Sequence, residues 1–196
     1  MAGPDLIRAV LPSPLGDLVV LADGSGVLHG LDFAEASGVL HGLDGAEASG
    51  VLHGLDGAEA SGRLNRLVDR YWPGARVTAG ATPAAVASAI SAYFAGDARA
   101  LDALPTAEGG TDFQRRVWAA LRQIPAGSAW SYADLARQVG QPAAVRAVGQ
   151  ANGANPVSLV QPCHRVVASG GGLGGYAGGL ERKAWLLRHE GVSLPA

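Results

Sequence analysis

The chain has 196 residues, of which 48% are hydrophobic and 16% charged, and its formal net charge is −2. This length suits one large or two small domains, and the ordinary apolar fraction excludes wholesale disorder. No apolar stretch approaches the roughly 20 residues that span a bilayer, and no export signal is visible. With a single reduced thiol, the protein is expected in the cytoplasm, or in the nucleus of a eukaryotic source.

The charge is distributed unevenly along the chain. Residues 1–110 contain six arginines and thirteen acidic residues, whereas residues 111–196 contain eight arginines, one lysine and four acidic residues. A basic half beside an acidic half suggests that the second half contacts a polyanion.

The N-terminal part is predicted to form strands. Three short apolar runs are separated by turn sequences rich in proline, glycine and aspartate, at 7–11, 17–21 and 27–31. The third run overlaps a repeat, SGVLHGLDGAEA, present as near-identical copies at 25–36, 37–48 and 49–60. Three short units make a poor solenoid, so the second and third copies predict a surface excursion or extra hairpin turns.

The repeat places His29, His41 and His53 at equal spacing. Duplication alone produces this spacing, and no cysteine accompanies the histidines. No metal is therefore expected there.

Capping residues and helical spacing predict five helices: 84–95, a helix that Thr111 caps and Pro125 ends, 132–139, 143–151 and 180–190. Thr82 and Ser131 are the expected caps of the first and third. The segment 97–110 indicates a boundary between an N-terminal domain, 1–104, and a C-terminal domain, 105–196. The predicted fold class is α/β of the α+β type, in which a small mixed or antiparallel sheet domain with a helix precedes a mostly helical, winged-helix-like domain.

Helices 132–139 and 143–151 have the proportions of a helix-turn-helix. The second is built from small residues and carries one long cation, Arg146. Two interpretations remain open: tight packing on another helix with Arg146 in solvent, or a helix laid along a DNA groove with a probing guanidinium.

Cys163 is the only cysteine of the chain, so it can form neither an internal disulfide nor a thiolate metal cage. Isolated cysteines are usually small core residues, but Pro162, His164 and Arg165 surround this one. Cationic neighbours favour the thiolate, which predicts a nucleophile. The apolar run 157–160 before it predicts a buried strand. The glycines of 170–179 indicate either flexibility or close backbone approach to a flat ligand beside Tyr176.

Residues 111–191 resemble the O6-alkylguanine-DNA alkyltransferase family, also called methylated-DNA–protein-cysteine methyltransferases, in its bacterial form. The resemblance rests on short segments in the family's order and spacing: TDFQ at 111–114, SY at 131–132, RAVG at 146–149, NP at 155–156, PCHRV at 162–166 and GY at 175–176. The segment SPLG at 13–16 also resembles the family's N-terminal domain, whereas the triple repeat does not.

The resemblance implies single-turnover transfer of an alkyl group from O6 of a flipped-out guanine, and to varying degrees from O4 of thymine, to Cys163. It implies that a water joins Cys163 to His164 and that Glu190 orients the imidazole. Tyr132 would donate a proton toward N3 of the guanine and contact the phosphate. The base pocket would consist of Tyr176, Lys183, the Ala177 amide and the carbonyls of Cys163 and Val166.

The resemblance also implies the DNA contacts. The 143–151 helix would lie in the minor groove, with Arg146 filling the vacated stack and small residues permitting close approach: Ala144, Ala147, Gly149 and Ala151. Asn155 would be the hinge between this helix and the cysteine segment. The expected partner is double-stranded DNA containing O6-alkylguanine, bound by a monomer that can cooperate along DNA. No cofactor is implied, and no zinc, because no cysteine remains to bind one.

Three rival functions were compatible with parts of this pattern. A non-catalytic lesion sensor would replace the nucleophile, which Cys163 argues against. A redox-sensing helix-turn-helix regulator would need side chains for base readout, which the small-residue helix lacks. A cysteine hydrolase would turn over many times. For His164 and Glu190, the plain structural alternative is a buried pair that holds the last helix.

Overall fold

The computed structural model describes residues 3–34, 62–170 and 172–193. The second and third repeat copies lie outside these residues, and with them the predictions for His41 and His53. Among the residues described, no helix is both long and apolar enough to cross a membrane.

The N-terminal part is built on a four-stranded sheet in the order β3-β2-β1-β4. The strands are β1 (Asp5–Leu11), β2 (Leu18–Ala22), β3 (Leu28–Phe33) and β4 (Arg76–Ala79). The first three are antiparallel and β4 is parallel to β1, which confirms the predicted mixed sheet. His29 on β3 is 7% exposed, and its Nε2 lies 3.3 Å from Asp23 Oδ2.

Two elements of this part were not predicted, the helix α1 (Gly62–Tyr71) and the strand β4. In the sequence, the start of α1 resembles a truncated repeat copy, so the helix was not predicted. In the structure Leu64 and Val68, which are four residues apart, are both buried on one face of this helix. Every residue of β4 is exposed, so it has no alternating apolar pattern.

The helices of the second half are α3 (Asp112–Leu121), α4 (Tyr132–Gln138), α5 (Val145–Gly153) and α6 (Leu180–His189), preceded by α2 (Ala84–Phe94) in the first half. Thr111 and Ser131 form capping boxes with Gln114 and Asp134, as the sequence predicts. The predicted Thr82 cap is wrong, because Pro83 occupies the cap position without a side-chain bond.

The segment before Cys163 is not the predicted strand. Val157 forms only an isolated bridge with Leu31 of β3, and Leu159 adopts a positive φ of 70°, which a strand does not allow. The segment is nevertheless buried, and it packs in the same apolar cluster as the sheet and α2. Two short parallel strands, β5 (Trp130–Ser131) and β6 (Val166–Val167), lie on either side of the cysteine segment in sequence.

Candidate active site

Two consecutive tight turns shape the backbone that leads to Cys163. Val160 N donates to Ser158 O at 2.9 Å around Leu159, which makes a γ-turn. Cys163 N donates to Gln161 O at 2.7 Å around Pro162, whose φ of −76° and ψ of 69° give an inverse γ-turn. Cys163–Arg165 then form a 3₁₀ turn.

The side chain of Asn155 holds this backbone through two hydrogen bonds. Its amide Nδ2 donates to Gln161 O at 2.7 Å, and its Oδ1 accepts from Val157 N at 3.0 Å. Because Asn155 follows α5 within two residues, it connects the end of that helix to the cysteine segment. Its role as a hinge stays a prediction.

Cys163 is 6% exposed and packs in the apolar cluster under α3, α4 and α5, against which Tyr132 and Tyr176 also pack. Burial raises the pKa of the thiol, and the Asn155 hydrogen bond and the charges of Arg63 and Lys183 only partly oppose this. The prediction that flanking cations maintain a thiolate is therefore wrong. The raised pKa favours the neutral thiol.

The imidazole of the neighbouring His164 is held by Glu190. Its Nε2 lies 3.0 Å from Glu190 Oε1, and both side chains are fully buried. Although burial alone would raise it, hydrogen bonds from His164 and Arg165 lower the pKa of Glu190 to about 2. An ionised carboxylate only accepts, so Nε2 carries the proton and Nδ1 is the basic nitrogen. Nδ1 is buried and has no hydrogen-bond partner among the described residues.

Glu190 is also held by two residues that were not predicted from the sequence to contact it. Arg165 Nε donates to Glu190 Oε2 at 2.7 Å, and its NH2 donates to Oε1 at 2.9 Å. Its NH1 donates to Ile124 O at 2.6 Å, so the whole guanidinium is directed at these groups. The Tyr93 hydroxyl of α2 donates to Oε1 at 2.9 Å. The charge of Arg165 thus serves the carboxylate rather than the thiol.

Lys183 is fully buried and binds backbone. Its Nζ donates to Val166 O at 2.5 Å and to Gly175 O at 3.2 Å, and burial lowers its pKa to about 8. Cys163 O accepts from Val166 N. Each of the two carbonyls expected to receive the exocyclic amine therefore already accepts at least one bond.

Tyr132 lies between α5 and the glycine-rich segment. Its hydroxyl donates to Gly175 O at 3.4 Å. Gly174 has a φ of 67°, and a Cβ there would lie 3.1 Å from the Tyr132 ring, so the position favours glycine. Burial raises the pKa of Tyr132, and it raises that of Tyr176 much further. Both phenols keep their protons, and the Tyr176 hydroxyl is buried with no partner in the described part of the chain. Ala177 is exposed.

α5 presents a small-residue surface to solvent. Arg146 is exposed and makes no hydrogen bond or ion pair with any residue that the structure describes, and Ala147 beside it is also exposed. Ala144 and Gly149 are partly exposed. Ala151 alone of the contact residues predicted on this helix is buried, 3% exposed, and its carbonyl accepts from Trp118 Nε1 at 2.8 Å.

Comparison with known proteins identifies the family of the chain. The family model described as the DNA-binding domain of 6-O-methylguanine DNA methyltransferase matches residues 112–192. The methylated-DNA–protein-cysteine methyltransferase of Salmonella typhimurium is 57% identical over 112 residues, 57% of this chain and 66% of that protein, so the match spans just under two thirds of the relative. The Shigella flexneri protein of the same name is 49% identical over 134 residues, 67% of this chain and 78% of that protein.

Among solved structures, Mycobacterium tuberculosis OGT in complex with DNA is 34% identical, with a TM-score of 0.68 over 94% of this chain and 92% of that one. A likeness of this extent shows that both halves of the chain share the fold of that protein. The chain belongs to the methylated-DNA–protein-cysteine methyltransferase family.

Proposed function

We propose that this protein repairs DNA by direct reversal, transferring an alkyl group, in the simplest case methyl, from O6 of guanine in double-stranded DNA to Cys163. O4-alkylthymine is a second substrate of the same chemistry. Family membership supports the reaction class, and the Mycobacterium tuberculosis relative with DNA supports the substrate. The observation that carries the residue roles is the unpartnered Nδ1 of His164, next in sequence to the buried thiol and fixed by Glu190.

DNA binding is the task of α5. The alkylated nucleotide must leave the stack, which costs a few kcal/mol and less when alkylation has weakened its pairing. Small residues bring the helix backbone close to the minor groove, and the exposed Arg146 fills the gap that the base leaves. Most contacts are to the DNA backbone, so sequence preference is weak. The protein acts as a monomer in the cytoplasm.

Proton transfer activates the nucleophile. Burial raises the pKa of Cys163 and lowers that of His164, so both are neutral before the reaction. The thiol proton passes through a water to Nδ1, and the ionised Glu190 stabilises the resulting imidazolium.

Displacement then follows at the alkyl carbon. The sulfur forms the new C–S bond while the C–O6 bond breaks and its electron pair goes to the guanine. The Tyr132 hydroxyl donates toward N3, where negative charge develops, and its raised pKa keeps the proton available until then. Tyr176 and Lys183 line the base pocket, and the carbonyls of Cys163 and Val166 receive the exocyclic amine.

The product is a thioether, and no group of the proposed site can hydrolyse it. Incubation with excess duplex containing O6-methylguanine, followed by digestion of the DNA, should therefore show one lesion removed per protein molecule. Cys163→Ser should remove none. Lesion removal beyond one equivalent would favour a hydrolase or another turnover enzyme, and lesion binding without removal would favour a sensor.

A further inference from the structure

Arg63, in the first turn of α1, connects three distant segments. Its NH1 bonds Asp32 of β3, and its NH2 donates to Gly153 O at 2.8 Å and to Asn155 O at 2.9 Å. The Arg63 side chain is 21% exposed and that of Asp32 is 7% exposed, so water screens this ion pair far less than a surface pair. One guanidinium thus joins the N-terminal sheet to the end of α5.

The two carbonyls have structural importance. Gly153 is the last residue of α5, where carbonyls have no partner within the helix and the helix dipole is negative. The guanidinium of arginine donates several hydrogen bonds to such carbonyls, and its positive charge is stabilised by the negative end of the helix dipole. The other carbonyl belongs to Asn155, whose side chain holds Gln161, two residues before the thiol. Arg63 therefore binds the backbone at the point where α5 ends and the cysteine segment begins.

Asp32 extends the connection to the cysteine segment itself. Its Oδ1 accepts from Ser158 Oγ at 3.2 Å. The backbone of β3 bonds the same stretch, because Leu31 N donates to Pro156 O at 2.9 Å and Ser158 N donates to Leu31 O at 2.7 Å. Backbone hydrogen bonds from β3 therefore hold residues 156–158 at the edge of the sheet.

We propose that Arg63, anchored by Asp32, is a positioning residue for repair, which fixes α5 relative to Cys163 so that a base extruded at the helix reaches the sulfur. This inference rests on the proposed function. Through Arg63 and Asp32, the N-terminal half of the chain contributes to a reaction whose reacting groups lie mostly in the C-terminal half. The second and third repeat copies lie between Asp32 and Arg63 in sequence, so adding copies there alters neither residue of this ion pair.

The test compares Arg63→Met with Arg66→Met, which removes the same charge from an exposed position of the same helix. Rate constants for alkyl transfer are measured with duplex containing O6-methylguanine and with free O6-benzylguanine, per active protein and on the high-pH plateau of each profile. Since small misplacements of reacting groups are costly, Arg63→Met should lose about tenfold or more on the duplex and less than about threefold on the free base. Arg66→Met should lose neither, and Arg63→Lys, with one charge but no fork, should be intermediate.

Equal loss on both substrates would overturn the proposal, because Arg63 would then act on the thiol or on folding rather than on α5. Wild-type rates on the duplex would overturn it as well. A wild-type protein that reacts with neither substrate would instead refute the proposed function. The positioning role would then be judged by affinity for the lesion duplex, which Arg63→Met should weaken and Arg66→Met should not.

Discussion

Replacing Glu190 with glutamine should lower the free energy of unfolding by about 3–5 kcal/mol at neutral pH, because it leaves a buried cation without its counterion. The carboxylate accepts two bonds from Arg165 and one each from His164 and Tyr93, and its side chain is fully buried. The measurement is denaturant unfolding of both proteins. Glu181→Gln, the same change at an exposed position of α6, should stay within about 0.5 kcal/mol of the wild type.

The pH dependence of this loss has a definite sign. The pKa of Glu190 is lowered from 4.5 to about 2 in the folded protein, so its contribution to stability is complete above pH 4.5 and disappears as pH falls toward 2. The gap between wild type and Glu190→Gln should therefore narrow in acid. A gap below about 1 kcal/mol at pH 7, or one that widens in acid, would contradict the role given to this carboxylate.

The same variant should slow alkyl transfer by about a hundredfold under conditions where it remains folded, since a positioned base contributes at least this factor. Glutamine can offer its amide nitrogen as well as its oxygen to His164, so it does not define the tautomer that leaves Nδ1 free. A folded variant with wild-type rates would support the plain structural alternative, a buried pair that only holds the last helix.

Arg146→Ala should reduce the repair rate on duplex DNA by about 10- to 100-fold, because the vacated stack is then unfilled and base extrusion costs a few kcal/mol. The reaction with free O6-benzylguanine requires no extrusion and should change little. Both second-order rate constants are measured by the loss of active thiol.

Arg188→Ala is the matched control, since it removes an exposed arginine from α6 rather than from α5. It should behave as the wild type on both substrates. Equal losses on duplex and free base for Arg146→Ala would refute the stack-filling role.

Features that depend on neighbouring residues were predictable from the sequence. The capping boxes at Thr111 and Ser131 follow from side chains three residues apart, and α6 ends before Gly191, whose φ is 87°. These signals are local, so they survive without any knowledge of the tertiary structure.

Features that depend on distant residues were not predictable. Tyr93 is 97 residues from Glu190, and Arg63 is 92 residues from Asn155, so no local pattern connects either pair. The thiol shows the same limit, because the charge of Arg165 is two residues from Cys163 in sequence but is directed at Glu190 in space. The pKa of Cys163 is set by burial, which the neighbouring residues do not reveal.

The most direct measurement is to locate the transferred group. After reaction with excess duplex containing O6-methylguanine, the protein is digested and its peptides are mapped by mass. The peptide that contains Cys163 should carry a single methyl group in every active molecule, with no other peptide modified. A lesion that disappears while this peptide stays unmodified, or a methyl group found elsewhere, would contradict the assignment of Cys163 as the acceptor.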